Sequence, residues 1–167
     1  MGLCACLPNS QTFMSNYPDY NDYQSSGDVW DLIGGSLNDA YGRGSENGAE
    51  DSCAARVSHA LNNSGAEIPS SPAHQTNRNQ GGSDGRYIIS ASNMNRYLRD
   101  TYGAPAMSLN GNGGAEALRA SFIVSRSGGA AIVSSSGHTA VISASHMDNY
   151  VWTGDVWFLP TSGGCSC

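Results

Sequence analysis

Asp51-Ser52-Cys53-Ala54-Ala55-Arg56-Val57-Ser58-His59-Ala60-Leu61-Asn62-Asn63-Ser64-Gly65 is the stretch around which the chain is organised. Asp51 and Ser52 are helix-capping residues, Cys53, Val57 and Leu61 recur every fourth position, and Asn63-Ser64-Gly65 supplies a stop. The spacing predicts a short amphipathic helix with Cys53 in its first turn. Backbone N–H groups unpaired in a first turn, with the positive end of the helix dipole, lower a thiol's pKa and can donate to an oxyanion forming on a carbonyl. A thiol placed there is poised as a nucleophile. The competing reading makes Cys53 one more small apolar residue on the inner face of its helix. His59 lies about 120° around the axis from Cys53, so it faces elsewhere.

A second stretch, Gly128-Gly129-Ala130-Ala131-Ile132-Val133-Ser134-Ser135-Ser136-Gly137-His138-Thr139-Ala140-Val141-Ile142-Ser143, reads as two apolar strands joined by a Ser/Gly turn, with His138 opening the second. Alternation puts His138, Ala140 and Ile142 on one face and Thr139, Val141 and Ser143 on the other. A helix-borne Cys followed far downstream by a strand-borne His is the order of papain-like thiol peptidases. The imidazole takes the thiol proton and later gives a proton to the leaving amine. It then needs an orienter, and Asp148, in Ser145-His146-Met147-Asp148-Asn149-Tyr150, can fold back from a neighbouring strand to hold the ring. His146, two residues from Asp148, is the rival imidazole.

The chain resembles the family 4 amidase effectors of type VI secretion, papain-like peptidoglycan amidases related to the NlpC/P60 enzymes. The resemblance rests on Ile33-Gly34-Gly35, on Asp51 to Asn62, on Ile68-Pro69 and on Arg86-Tyr87-Ile88-Ile89 leading into Asn93-Met94-Asn95-Arg96-Tyr97-Leu98. It continues with Gly137-His138-Thr139-Ala140-Val141 and Val156-Trp157-Phe158-Leu159-Pro160, in the family's order. It implies an α+β papain-like (NlpC/P60-like) fold, a helical N-terminal half packed on an antiparallel β-sheet. Cys53 would be the nucleophile, His138 the base and Asp148 the orienter. It further implies hydrolysis of the D-glutamate to meso-diaminopimelate bond of peptidoglycan, without a metal or cofactor. Expected partners are a cognate immunity protein that blocks the cleft and a type VI delivery component. The cysteine pair that can flank the aspartate in the family is absent.

At 167 residues the chain is expected to be a single amidase domain spanning 1–167, with an irregular N-terminal arm over 1–27 and a Cys-containing tail over 161–167. A net charge of −6 argues against nucleic acid and against anionic membranes, so a cell-wall polymer would have to be recognised by a local groove. No run of about eighteen apolar residues exists, and the start lacks a secretory signal's basic region and apolar core. The expected itinerary is synthesis in the cytoplasm, type VI secretion and action in the target's periplasm. Cys4, Cys6, Cys165 and Cys167 are disulfide candidates: a bridge between the ends suits an oxidising compartment, a frayed reading leaves them as free thiols, and a zinc corner has tighter spacing than usual.

Tyr17, Tyr20 and Tyr23 form either an aromatic platform or an arm laid over the core. A helix is expected from Val29 to Tyr41, weakened by Gly34-Gly35, whose gain would be close backbone packing. Trp30 should be partly exposed, and Trp152 and Trp157 should fill the core. Residues 42–50 are a loop entering the catalytic helix, where Asn47, Glu50 and the following Ser52 are substrate-contact candidates. Residues 66–85, with His74, form a second long loop that could wall the cleft. A strand over 86–90, a helix capped by Ser92, a loop over 106–113, a helix over 114–126 and strands from 130 to 160 complete the reading. Two rival functions share this pattern: a transglutaminase or deamidase toxin releasing ammonia from protein glutamine, and a non-enzymatic cell-wall-binding module in which Cys53 is buried structure.

Overall fold

The computed structural model describes residues 5–80, 85–124, 129–148 and 153–161. The stretch expected to be an irregular arm contains a helix, α1 (Ser10–Asn16), whose first N–H groups are accepted by the Asn9 side chain. Phe13 and Tyr17, four residues apart, share its buried face and stack at 5.9 Å. The polar residues around them obscure that period. Tyr17 is thereby buried, so the three tyrosines form no open platform.

The single helix expected over 29–41 is two, α2 (Ser26–Ile33), closed into a capping box by Ser25 and Asp28, and α3 (Gly35–Tyr41). Gly34 and Gly35 adopt φ of 64° and 61°, which breaks the helix. The expected close approach is present: a Cβ on Gly35 would stand 2.5 Å from Asn79 Oδ1. Asn79 repairs the break, donating to the Ile33 carbonyl and accepting from the Leu37 N–H. Trp30 is fully buried, contrary to expectation, and its indole N–H reaches the Glu50 carbonyl at 2.9 Å.

Helix α4 (Cys53–Asn63) follows, buried on nearly every side. Ala54, Ala55, Ser58 and Ala60 let neighbours approach it all round, and its polar residues serve neighbouring backbone rather than solvent. Ser58 Oγ accepts from the Ile88 N–H, and Asn62 donates to the Arg86 carbonyl while accepting from the Ile68 N–H. Loop 66–85 holds a 3-10 turn (Pro72–His74) and the two-residue β1 (Asn77–Arg78), paired antiparallel with β2 (Arg86–Tyr87). The strand predicted over 86–90 is thus only two residues long, because Ile88 bonds to α4 and Ser90 already caps α5 (Ala91–Tyr102), the role expected of Ser92.

The loop expected over 106–113 is instead β3 (Met107–Asn110) followed directly by the start of α6 (Gly111–Val124). Only Leu109 of β3 is buried, so four residues offered no readable alternation. Strands β4 (Ala130–Ser134), β5 (Thr139–Ser143) and β6 (Thr153–Leu159) complete an antiparallel sheet of order β3-β6-β4-β5. Trp152, expected in the core, lies outside the described residues. One face of the sheet, through Ile132, Val141 and Trp157, packs on α1, α4 and α5. The other face, through Ala131, Val133, Ala140 and Ile142, is covered by α6. The fold is α+β, as the resemblance implies. Among the described residues no helix is long and apolar enough to cross a membrane.

The first and last described segments meet beside β6. Ser10 N–H donates to the Pro160 carbonyl at 2.8 Å, and Cys6 shares a cavity of about 380 Å³ with Leu159, Pro160 and Thr161. Cys6 is disulfide-bonded, and the other terminal cysteines, Cys4, Cys165 and Cys167, lie outside the described residues.

Candidate active site

Cys53 begins α4 where that helix packs on β5, and the sulfur receives hydrogen bonds from the backbone at Thr139 and Ala54. His138, half-buried, immediately precedes Thr139. It stands in the turn before β5, so strand alternation does not set the side to which its ring goes. The Ser135 hydroxyl accepts from the N–H groups of Gly137 and His138, and Ser135 N–H returns to the His138 carbonyl at 2.8 Å. The Ser-Ser-Gly turn therefore holds the backbone of His138 beside the end of α4.

The thiol is 3% exposed, and burial, with the nearby Asp51 carboxylate, pushes it up to about 11. The bonds from Thr139 and Ala54 and the charge of Arg56 pull the other way without prevailing. The first-turn effect expected from the sequence is present but outweighed by desolvation. At neutral pH the resting residue is a thiol, and its chemistry requires a proton acceptor. The Cys53 N–H expected to face an oxyanion is engaged by Asp51 Oδ1 at 3.1 Å.

Asp148 is 2% exposed and densely bonded. Oδ2 accepts from the Tyr17 hydroxyl at 2.7 Å and the Val141 N–H at 2.8 Å, and Oδ1 meets His146 Nε2 at 2.6 Å. Its imidazole partner in this structure is His146. The hydrogen bond that His146 donates to that carboxylate raises the His146 pKa against the effect of burial. Burial, followed by the charge of Asp148, holds the Tyr17 hydroxyl protonated well above its usual range.

Arg56, three residues beyond Cys53, was not singled out from sequence. It is fully buried, and its guanidinium donates to the Pro18 carbonyl at 2.7 Å, Ser52 Oγ at 3.2 Å and the Ser25 carbonyl at 3.5 Å. It also lies 3.6 Å from the centre of the Tyr20 ring. A cation at a helix position flanked by Cys53, Val57 and Ala60 was the signal that could have found it. Ser52 is 1% exposed and shared between Ser26 and Arg56, which removes it from any substrate surface. Asn47 and Glu50 are exposed on the loop that enters α4.

The other histidines are anchors. His59 Nδ1 lies 3.0 Å from the Tyr87 hydroxyl. His74 joins Ser71 Oγ to Asp100 Oδ2, both at 2.8 Å, in a serine–histidine–aspartate order. The N–H groups of Ser71, His74 and Thr76 are bonded within that turn, and the cluster fastens loop 66–85 to α5.

A family model described as the type VI secretion system amidase effector protein 4 matches residues 49–158. Among solved structures, the chain is similar to the effector Tae4 from Salmonella typhimurium in complex with the immunity protein Tai4 from Enterobacter cloacae. That likeness has 20% identity and a TM-score of 0.66, over 92% of this chain and 99% of the other. Tae4 from Enterobacter cloacae aligns at 18% identity and a TM-score of 0.66, over 96% and 100%. The Tae4–Tai4 complex from Enterobacter cloacae aligns at 19% identity and 0.64, over 93% and 99%. At these identities the structural likeness shows the fold. No curated protein sequence matches the chain.

Proposed function

The chain belongs to the amidase effector protein 4 family of type VI secretion, and from that premise we propose that it cuts the D-glutamate to meso-diaminopimelate bond of peptidoglycan by thiol chemistry. Cys53 is the nucleophile and His138 the general base. The observation that carries this reading is the seating of the Cys53 sulfur against the backbone of Thr139, the residue next to His138. Because the resting thiol is protonated, attack and proton transfer to His138 are coupled. The Cys53 sulfur bonds to the D-glutamyl carbonyl carbon, and the tetrahedral intermediate collapses as the imidazolium gives its proton to the diaminopimelate nitrogen. Water then releases the acyl group from sulfur. Asp148 orients His138 through the backbone, since its bond to the Val141 N–H fixes β5 three residues beyond the imidazole.

The 2.6 Å contact between His146 and Asp148 favours a second assignment, in which His146 is the base. Mass spectrometry of purified muropeptides separates the two. Wild type should release fragments cut between D-glutamate and diaminopimelate, and Cys53→Ala and His138→Ala should not, while His146→Gln retains measurable cleavage. Loss with His146→Gln alone would transfer the base to His146. No cleavage by folded, reduced wild type would sink the amidase reading, and ammonia release from protein glutamine would then mark a deamidase.

Delivery by a type VI apparatus and action in the target's periplasm complete the proposal, and the disulfide at Cys6 suits that oxidising compartment. A cognate immunity protein covering the Cys53 cleft is the expected partner, by analogy with the Tae4–Tai4 complexes. Co-expression with the adjacent reading frame should relieve toxicity and block alkylation of Cys53.

A further inference from the structure

An acyl transfer through Cys53 needs hydrogen-bond donors where the carbonyl oxygen becomes negative. The usual first donor, the nucleophile's own N–H, is bonded to Asp51 at rest, and the next N–H, at Ala54, is directed to the sulfur. Tyr20 is tied to this end of α4 through Arg56. Its ring centre lies 3.6 Å from the guanidinium carbon of Arg56, which sits on α4 on the same side as Cys53 and is bonded to Ser52, the residue before the nucleophile. The chain leading to Tyr20 is fixed twice, by Arg56 at the Pro18 carbonyl and by Tyr17 at Asp148. Among the described residues no hydrogen bond engages the Tyr20 hydroxyl. The residue is half-buried.

We propose that the Tyr20 hydroxyl is the oxyanion donor of this site and that Arg56 is the positioning residue that holds it. This inference rests on the reading of Cys53 as the nucleophile. The arrangement gives a chemical role to a buried guanidinium whose hydrogen bonds, among the described residues, go to neutral oxygens. Its charge is kept from solvent, lies over the Tyr20 ring and makes the hydroxyl a better donor to a developing anion. Burial also keeps the Tyr20 hydroxyl protonated, outweighing the opposing pull of Arg56, and the charges of Asp148 and Asp51 act in the same direction as burial. In the tetrahedral intermediate no bond to Tyr20 is made or broken. The hydroxyl shares its proton with the oxygen that was the scissile carbonyl and retains it when the C–N bond breaks.

The test compares wild type, Tyr20→Phe and Arg56→Lys on muropeptide cleavage and on iodoacetamide alkylation of Cys53 between pH 6 and 11. The phenylalanine keeps the stacked ring, so the fold is retained. Its kcat should fall about 10²- to 10³-fold at unchanged KM, the usual effect of losing one such donor. Its alkylation profile should overlay wild type, because alkylation forms no oxyanion. Arg56→Lys keeps the charge and loses the guanidinium that stands over the ring, and should fall between the two in kcat. Binding of a stem-peptide aldehyde, whose hemithioacetal on Cys53 mimics the intermediate, should weaken in Tyr20→Phe by a similar factor. If wild type cleaves and Tyr20→Phe matches it, this inference fails and the nucleophile stands. A kcat loss accompanied by an equal loss of alkylation would also overturn it, making Tyr20 part of the thiol's setting. If folded wild type cleaves nothing, the reading of Cys53 fails and takes the oxyanion role with it.

Discussion

Asp148 and Cys53 both pack against β5, Cys53 from the start of α4 and Asp148 at Val141, yet their surroundings are built in opposite ways. The carboxylate is buried with three donors converging on it, from Tyr17, Val141 and His146. The thiol is equally buried, but its desolvation is offset only in part, and a carboxylate, Asp51, sits on the adjoining backbone. A buried anion survives when its hydrogen bonds are complete, whereas a buried thiol with incomplete support stays protonated. The hydrogen bonding of the carboxylate is therefore complete at rest, and that of the sulfur is not. In the proposed mechanism a base and a substrate carbonyl complete the sulfur side.

The strongest way to break the contrast is to remove the finished side. Asp148→Ala leaves the Tyr17 hydroxyl, the Val141 N–H and a buried imidazole without their acceptor. Breaking a buried charged pair in this way costs about 3–5 kcal/mol. Urea unfolding should show that loss as a lower midpoint, with cleavage falling as well. A change in slope rather than midpoint would mean that α1 detaches before the rest unfolds. Tyr17→Phe removes one donor and keeps the ring that stacks on Phe13, so the same experiment should show about 1 kcal/mol. An unchanged midpoint would show that water replaces the hydroxyl at Asp148.

How much of this was legible in the sequence follows the length scale of each feature. The Cys53 helix was readable because capping residues and a four-residue period lie within one segment. The strands from Ala130 to Leu159 were readable because apolar runs and Gly/Ser turns mark them locally. The partner of Asp148 was less so: His146 is close in sequence, but the choice between it and His138 depends on the pairing of Ile142 with Met147, which brings Asp148 against Val141. Tyr17 reaches the same carboxylate across 131 residues, a contact that no local pattern encodes. Arg56 was missed because a charged residue on a short helix reads as solvent-facing, whereas here the Pro18 and Ser25 carbonyls bury it.

A subtler way to sharpen the contrast uses pH. The Asp148 hydrogen bond raises His146 against burial, with Asp19 adding to the rise and Arg119 opposing it. A group whose folded pKa is raised contributes stability that is fully present below its unfolded value, about 6.5, and is lost as pH rises through the folded one. The stability difference between wild type and His146→Gln should therefore be largest near pH 5.5 and should shrink by pH 8.5. A difference that stays flat across that window would mean that the imidazole is held neutral and that the pair is a simple hydrogen bond.

The smallest expected effect lies on the unfinished side. Asp51→Asn keeps an oxygen that can accept from the Cys53 N–H while removing the negative charge beside the sulfur. Asparagine caps as well as aspartate, so the unfolding midpoint should move by no more than about 0.5 kcal/mol. The thiol should titrate lower than about 11, although burial, the larger cause, still holds it above the usual cysteine value. At a fixed pH near 8 more thiolate is then present, and alkylation of Cys53 should speed up by a few-fold, since the reacting fraction grows as the pKa falls toward the working pH. Cleavage should change less than alkylation, because in the proposed mechanism proton transfer to His138 accompanies attack. An alkylation rate equal to wild type would show that desolvation alone sets the thiol and that Asp51 matters only through its hydrogen bond. The surroundings of Asp148 and Cys53 would then differ in hydrogen bonding and not in charge.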